Sequence, residues 1–258
     1  MVQQPASPGS DPLPPHPTLS PYYQRDNDRA GFVGRLFDLS AGHYDRIERM
    51  MALGTGPWYR RQALTRAGLH SGMTALDVAI GTGLVAREAL HLTGDPGRVL
   101  GLDPSAGMLL RARASLGVPV VMGKGEQLPL PDRCFDFVSM GYALRHLADL
   151  AATFREFLRV LRPGGTLCML EWTRPPRGIR YHLLRLYLHK LVPILTRLTT
   201  GNHDAALLMR YFWDTIDACV PPEQILSAMD QAGFEDVRRT VVLGMFSEYV
   251  GRRPTTPA

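Results

Sequence analysis

Residues 75–86, with the sequence ALDVAIGTGLVA, constrain the fold of this chain more than any other segment. A short apolar run that contains Asp77 is followed by a turn with Gly81 and Gly83, and then by the first residues of a helix pattern. Glycine has no Cβ, so the backbone can turn tightly and a ligand can come close to it. A helix that begins directly after such a turn offers unpaired N–H groups. The segment therefore predicts a strand, a glycine turn and a helix that together bind a ligand.

A second acidic residue follows at a characteristic distance. The apolar run RVLGLDPS contains Asp103, twenty residues after Gly83. A carboxylate at the end of the second strand can accept hydrogen bonds from ribose hydroxyls. A glycine turn that only closes a strand–helix unit would not require this acid. The two features together predict a site for an adenosine-type cofactor.

Two cofactor classes fit the turn, a dinucleotide and S-adenosylmethionine (SAM). The spacing Gly81-x-Gly83-x-x-Ala86 matches the loose dinucleotide pattern, which is weak evidence alone. Asp77 favours SAM, because a carboxylate suits an ammonium and a sulfonium but repels a pyrophosphate. No cluster of Lys or Arg follows the turn. The RPGG segment at 162–165, before the apolar run TLCMLEW, resembles the segment before the fifth strand of class I SAM methyltransferases.

Composition narrows the remaining function classes. The 258 residues carry a formal net charge of +5, but the basic residues are scattered, so we expect no nucleic-acid partner. Cys134, Cys168 and Cys219 lack metal-ligand spacing and are typical of reduced cysteines in a cytoplasmic protein, so no metal site is expected. We find neither the apolar segment of a secretory signal nor an apolar run of about 18 residues that would span a membrane.

The chain divides into a tail and one domain. Six prolines in residues 1–20 predict a disordered tail, and residues 21–258 predict a single α/β domain. Apolar residues at helical spacing predict a helical cap over 21–70. A long insert at 173–220 follows the fifth predicted strand and predicts a lid over the substrate. Two alternatives for its stretch 181–198 are an ordinary packed helix pair and an amphipathic helix that binds a surface.

Strand and helix patterns alternate after residue 70, which is typical of a parallel sheet with helices on both faces. The last two strands are joined by a short turn, so one of them must run antiparallel. We predict an α/β, class I methyltransferase Rossmann-like fold with a seven-stranded sheet, one antiparallel strand, a helical N-terminal cap and a helical insert after strand five. The predicted strands lie near 74–79, 98–103, 118–122, 135–140, 166–172, 236–243 and 245–250, and the helices that separate most of them lie near 84–92, 105–115, 148–161 and 221–232.

Residues 37–253 resemble the C-methyltransferases of ubiquinone and menaquinone biosynthesis. The resemblance rests on Tyr44-Asp45 and on the segments LDVAIGTG, LDPSAGML, GEQLPLPDRCFDFVSMGYALRHLAD, RVLRPGGTLCMLEWTRP, YFWDTIDACVPPEQILSAMDQAGF and LGMFSEYVGRR. The segment GYALRH at 141–146 is the most specific evidence for this family, because most class I methyltransferases lack it. The resemblance implies methyl transfer from SAM to a small aromatic or lipid-like acceptor, with C-methylation of a quinol-like ring as the leading hypothesis.

Other functions fit the same residues. An O- or N-methyltransferase of secondary metabolism would use the same scaffold, and a SAM-binding partner protein without catalysis would keep the same cofactor residues. The identity of the acceptor, contact with a membrane surface and the oligomeric state are left open by the sequence.

The resemblance also implies which residues contact SAM. The family's contacts fall on Thr82, Asp103, the pair Lys124-Gly125 and Gly141. Lys124 departs from the family, in which an Asp or Asn accepts a bond from the adenine amino group, and lysine has no acceptor. We therefore expect backbone groups at Gly125 and Glu126 to replace it. The complete set of residues predicted to bind SAM is Asp77, Ala79, Gly81, Thr82, Gly83, Asp103, Met108, Lys124, Gly125, Glu126 and Gly141.

Three residues are predicted to be catalytic. A ring carbon next to a phenol becomes a better nucleophile when the phenol loses its proton. We expect Arg145 to stabilise the phenolate, His146 to take the proton and Tyr44 to orient the hydroxyl. Glu171 and Trp172, at the end of the fifth predicted strand, are further candidates for the pocket wall. His146 and Glu48 stand where the family has Asn, which leaves the exact quinone open.

Overall fold

A seven-stranded sheet forms the centre of the molecule. The computed structural model describes residues 12–52 and 54–255. The strand order is β3-β2-β1-β4-β5-β7-β6, with β7 antiparallel to both of its neighbours. This order confirms the predicted class I methyltransferase fold. The strands are β1 Ala75–Val78, β2 Val99–Asp103, β3 Val120–Met122, β4 Phe135–Gly141, β5 Leu161–Trp172, β6 Glu235–Val242 and β7 Phe246–Arg252.

Local sequence explains several helix ends. The side chain of Ser105 accepts a hydrogen bond from the Met108 N–H at the start of one helix, and the side chain of Asp149 accepts one from the Ala151 N–H at the start of another.

Among the described residues, no helix combines the length and apolar character needed to cross a membrane. The helices are α1 Asp26–Ser40, α2 Tyr44–Met51, α3 Gly56–Arg66, α4 Leu84–Thr93, α5 Ala106–Leu116, α6 Leu150–Val160, α7 Ile179–Arg185, α8 Val192–Thr200, α9 His203–Ala218 and α10 Pro222–Gln231, with a π-helical turn at Leu186–Leu191 between α7 and α8.

The fifth strand begins at Leu161, earlier than the predicted start at 166. Leu161 pairs with Phe135, and the register shifts before the next pair, so the RPGG segment forms an irregular stretch inside the strand. Arg162 donates to Asp136 on β4 at 2.6 Å and holds this stretch to the sheet. The sequence analysis placed these residues before the strand, but the Leu161–Phe135 pairing and the ion pair to β4 extend the strand through them.

The cap and the insert share one apolar core. Two buried clusters line the faces of the sheet, and a third cluster joins α1 and α2 to the helices between β5 and α10. Val33 and Ile47 from the cap pack in this third cluster with Leu188 and Trp213 from the insert. Both helical segments therefore sit where the strands end, and they form the walls of the cavity described below.

The N-terminal segment 12–20 is packed against the domain. The Leu13 N–H donates to Asp149 Oδ1 at 3.2 Å, and the Val220 N–H donates to the Pro15 carbonyl at 2.8 Å. His16 is 1% exposed, and its carbonyl accepts from Arg29 at 2.9 Å. The predicted disordered tail over 1–20 is therefore wrong for residues 12–20, while residues 1–11 lie outside the described residues. Proline content indicated a chain without a core, but backbone hydrogen bonds and one buried ring hold it in place.

Deletion of residues 1–20 should destabilise the protein by roughly 2–4 kcal/mol, since it removes several hydrogen bonds and leaves the buried Arg29 with fewer partners. The melting temperature should fall by about 4–16 °C. Deletion of residues 1–11 alone is the matched control, measured by thermal unfolding. An unchanged melting temperature for the longer deletion would show that the packed segment contributes nothing to stability.

Candidate cofactor site and acceptor cavity

The glycine turn between β1 and α4 is tied to the end of β2. The Gly81 N–H donates to Asp103 Oδ2 at 2.9 Å, and the Ser105 N–H donates to Oδ1 at 2.8 Å. Gly81 and Gly83 have φ values of 56° and 94°, a conformation that glycine adopts without strain. A Cβ at Gly81 would meet no atom within 4 Å, so the space next to the turn is open. Asp103 thus joins the turn to the second strand, and each of its oxygens keeps a lone pair for a ligand hydroxyl.

Asp77 lies buried below this turn. Ser139 donates to its Oδ1 at 2.7 Å, and its Oδ2 is buried with no hydrogen-bond partner among the described residues. Burial raises the pKa of Asp77 to about 7, and burial also raises the pKa of Asp103 to about 6. An unpaired carboxylate oxygen in a buried site costs free energy unless a donor or a cation reaches it. This observation fits a cationic cofactor such as SAM.

The other predicted cofactor residues lie around the same strand ends. Gly125 is buried, and Met108 is 1% exposed at the start of α5. Lys124 is exposed. The Glu126 side chain accepts a hydrogen bond from the Ala148 N–H at 2.6 Å, so Glu126 is bonded to the loop before α6. A Cβ at Gly141 would come within 2.4 Å of the Val85 side chain, so a larger residue there would require Val85 to move. Ala79 has a φ of 54° and turns the chain from β1 towards Gly81.

The cap is bonded directly to the cofactor turn. Thr82 Oγ1 donates to Asp45 on α2 at 2.5 Å. Asp38 on α1 accepts from the Ser105 hydroxyl and from the Gly107 N–H, the latter at 3.3 Å. The two carboxylates come from the cap; Thr82 and Ser105 lie in the loops that follow β1 and β2, and Gly107 lies in the first turn of α5.

A cavity of about 150 Å³ lies between the cap, the strand ends and the insert. An apolar cavity of about this size can hold one aromatic ring. Tyr44, Ala79, Gly81, Thr82 and Gly141 are predicted site residues that line it. Its other walls are mostly aromatic or apolar and include Met51, Trp58, Tyr59, Ile80, Leu84, Val85, Tyr142, Trp172, Phe212, Leu243 and Phe246.

One ion pair lies in this wall. Arg60 donates to Glu48 at 2.5 Å, and their side chains are 3% and 13% exposed. The Arg60 guanidinium also lies 5.5 Å from the ring centroid of Tyr142. A Cβ at Gly56 would come within 2.5 Å of Glu48 Oε1 and 2.6 Å of Arg60, so glycine at this position leaves the pair its space. The cavity therefore presents one carboxylate and one guanidinium among aromatic rings.

Arg60 is a charged cavity residue that the sequence analysis missed, and Glu48 was noted only as a departure from the family. A signal was present, because Arg60 lies three and four residues before Ala63 and Leu64 on the buried face of α3. An arginine on an apolar face must find a partner. Glu48 lies on another helix, so the pairing became visible only in the structure.

Tyr44 lines the cavity, and its role in orienting the acceptor hydroxyl stays a prediction. Burial, with a smaller contribution from Glu48, raises the pKa of Tyr44 to about 12, and burial also raises the pKa of Tyr142. Both phenols keep their protons at neutral pH, so each hydroxyl can donate a hydrogen bond to a ligand. Neither of them can act as the general base.

Arg145 lies behind the wall, not in it. Its side chain is fully buried, and it donates to Glu171 at 2.9 Å and to Thr215 at 2.7 Å. It also donates to the Tyr142 carbonyl at 3.3 Å and stacks 4.4 Å from the centroid of Phe212. The sequence analysis expected Arg145 at the acceptor, but the buried side chain is not among the residues that line the cavity. The buried guanidinium connects β5, α9 and the loop after β4.

His146 does not line the cavity either. Its ring stacks on Tyr211 at 5.6 Å and meets Phe37 edge-on at 5.3 Å. Burial, and then the charge of Arg145, hold the pKa of His146 well below its usual range. The imidazole is therefore neutral at neutral pH and packs among aromatic rings of the cap and insert. This position corrects the expectation that His146 faces the acceptor.

Asp103→Ala should weaken SAM binding tenfold or more, because hydrogen bonds to a charged acceptor contribute about 1.5–3 kcal/mol. Since the pKa of Asp103 lies near 6, wild-type affinity should also fall as the pH is lowered below about 6. The variant should lose that part of the pH dependence. Titration calorimetry across pH, with the exposed Asp132→Ala as control, measures both effects. Unchanged affinity in a folded variant would remove Asp103 from the site.

Comparison with known proteins agrees with this geometry. Residues 24–251 match the family model described as the ubiE/COQ5 methyltransferase family. The ubiquinone/menaquinone biosynthesis C-methyltransferase UbiE of Shewanella woodyi is 32% identical over 234 residues, covering 88% of this chain and 92% of that protein. The UbiE of Hahella chejuensis is 31% identical over 213 residues, covering 80% and 84%.

Solved structures share the fold at lower identity. A SAM-dependent methyltransferase of Thermotoga maritima, described as a possible histamine N-methyltransferase, aligns with a TM-score of 0.60 and 20% identity over 85% of this chain and 99% of that one. A SAM-dependent methyltransferase of Aquifex aeolicus aligns with a TM-score of 0.56 and 21% identity over 75% and 89%. On the family match and the identity over most of its length, this chain belongs to the ubiE/COQ5 methyltransferase family and is a SAM-dependent methyltransferase.

Proposed function

We propose that the enzyme methylates a ring carbon of a quinol-like acceptor. The observation that carries the proposal is the Glu48–Arg60 pair in a cavity otherwise walled by aromatic and apolar side chains. An aromatic ring fills such a cavity, and a phenolic hydroxyl needs a proton acceptor and a cation. The relatives named as ubiquinone/menaquinone biosynthesis C-methyltransferases support this class of acceptor.

SAM would be held by Asp77, Asp103 and the turn at Gly81. The unpaired oxygen of Asp77 would face a cationic group, and Asp103 would accept from the ribose hydroxyls. When bound, SAM supplies an electrophilic methyl group on a sulfonium. The chain itself must then exclude water and position the acceptor, tasks for which its cap and insert are suited.

The ion pair would activate the acceptor. Glu48 Oε1 is bonded to Arg60, and Oε2 accepts no hydrogen bond among the described residues. We assign Oε2 the role of taking the phenolic proton and Arg60 that of stabilising the phenolate oxygen. Electron density from the phenolate then reaches the ring carbon beside it, and once this carbon has received the methyl group it loses its own proton to solvent, which restores the aromatic ring. Tyr44, which keeps its proton, would donate to the acceptor and orient the ring.

Arg145 would be a positioning residue. Its bonds to the Tyr142 carbonyl and to Glu171, and its stacking on Phe212, fix two cavity residues from behind. A rigid wall holds the acceptor in the reactive geometry. In this assignment Arg145, in the GYALRH segment, holds the cavity wall in position. Glu48 and Arg60 are the residues that act on the acceptor.

The test is an assay of the full-length enzyme with isotopically labelled SAM and a panel of short-chain hydroquinones, phenols and amines. We expect a hydroquinone to be methylated on the ring, which NMR distinguishes from a methoxy or methylamine product. An O- or N-methyl product from the best substrate would support the alternative of a secondary-metabolism methyltransferase. Tight SAM binding with no product from any acceptor would support the alternative of a non-catalytic partner protein.

A further inference from the structure

The insert carries an exposed apolar stripe along α7, the π-helical turn and α8. Its members are between 45% and 77% exposed although they are Leu or Ile. They recur at steps of three to five residues, and the five-residue step falls where the π-helical turn inserts an extra residue. One line of side chains therefore runs along the whole helical segment. The stripe consists of Ile179, Leu183, Leu186, Leu191, Ile194 and Leu198.

Positive charge flanks the stripe. No acidic residue occurs between Glu171 and Asp204, whereas this interval contains five arginines and one lysine. Arg180, Arg185, Lys190 and Arg197 are exposed, and each is next in sequence to a stripe residue, about 100° away around the helix. Among the described residues, none of these four forms an ion pair. An apolar line between unpaired cations is typical of a helix that lies in the interface of an anionic membrane.

The stripe lies near the mouth of the acceptor cavity. Tyr187, within the π-helical turn, donates to the carbonyl of the cavity residue Met51 at 3.3 Å. Leu243, another cavity residue, is 76% exposed. The next residue, Gly244, lies close to Arg180, since a Cβ there would be 3.8 Å from the guanidinium. A surface that met the stripe would therefore also meet the rim of the cavity.

We propose that this stripe docks the enzyme on an anionic lipid bilayer. A second copy of the chain is a poorer occupant, because a two-fold contact would bring the same unpaired cations together. The bilayer offers both an apolar layer for the Leu and Ile side chains and phosphates for the flanking cations. Docking goes beyond the proposed acceptor chemistry, and it is measured without turnover.

Vesicle co-sedimentation of the full-length protein tests the proposal. We expect binding to phosphatidylcholine vesicles that contain phosphatidylglycerol, weaker binding to phosphatidylcholine alone, and release by high salt. The double variant Arg185→Glu and Lys190→Glu should bind at least about tenfold more weakly, since each basic residue contributes about fivefold. Its matched control is Arg113→Glu with Arg155→Glu, two exposed arginines elsewhere.

A second pair of variants tests the apolar part. Leu186→Ser with Leu198→Ser should lose at least about tenfold in affinity, whereas Leu39→Ser with Leu110→Ser, which are also exposed, should not. All four variants should keep wild-type turnover on a short soluble acceptor. Equal binding to both vesicle types, or no effect of the stripe variants, would overturn the proposal. So would a concentration-dependent dimer in ultracentrifugation that the stripe variants abolish.

Discussion

Glu48→Gln should lower turnover about 10²–10⁴-fold on the true acceptor while SAM affinity stays within about twofold of wild type. The amide keeps the size of the side chain but cannot take a proton. Glu48 itself lines the cavity, and none of the described hydrogen bonds joins it to the turn at Gly81. The measurement is single-turnover kinetics beside calorimetric titration of SAM.

A matched control is available for this prediction. Glu88 is also a buried carboxylate paired with an arginine of α3, here Arg61 at 2.8 Å, but it lies outside the cavity wall. Glu88→Gln should leave turnover nearly unchanged after correction for any loss of stability. Arg60→Met should lower turnover about as much as Glu48→Gln does. The double variant should lower turnover little more than either single variant, because the two residues act as a unit. Full activity in Glu48→Gln would end the assignment of Glu48 as the base.

Arg145→Met should destabilise the fold by about 3–5 kcal/mol, because it leaves Glu171 as a buried charge without its cation. For a domain of this size that corresponds to a fall in melting temperature of roughly 6–20 °C. Turnover at a temperature where the variant is folded should fall less than in Glu48→Gln. Thermal unfolding and kinetics at low temperature measure the two effects separately.

The double variant Arg145→Met with Glu171→Leu separates a structural from a catalytic role. Removal of both charges should recover part of the lost stability, since no unpaired charge then remains in the core. If Arg145 serves the site only through the stability of the core, activity should recover with stability; if its own contacts to Tyr142 and Phe212 position the wall, stability should recover without full turnover. A stable Arg145→Met variant without turnover would instead restore the hypothesis that this arginine contacts the acceptor.

The cofactor half of the site followed from local sequence. Gly81, Gly83 and Asp103 have roles that depend on backbone conformation and on one strand end, and both are encoded within a few residues. Strand and helix periodicity likewise predicted the sheet, because each element buries a face that its own sequence displays. The error at 162–165 arose where an ion pair to a neighbouring strand extended a strand through residues that favour a turn.

The acceptor half depended on contacts between distant segments. Arg145 and His146 were predicted to be catalytic because they follow a strand whose carboxyl end faces the predicted ligand site. In the structure, Arg145 is buried by its bonds to Glu171 and Thr215, and His146 is buried against Tyr211. Residues 12–20 were predicted to be disordered from their proline content. Amino-acid composition gives no information about hydrogen bonds to distant segments, and such bonds hold these residues in place.

The sequence by itself therefore determined the fold, the family and the cofactor turn of this protein, since periodicity and short motifs act within one or two elements. Only the tertiary structure decided which charges face the cavity. Glu48 and Arg60 lie on different helices and meet because the cap folds over the strand ends. Whether a charged side chain is a catalyst or a buried support depends on its partners, and these come from residues far away in the chain.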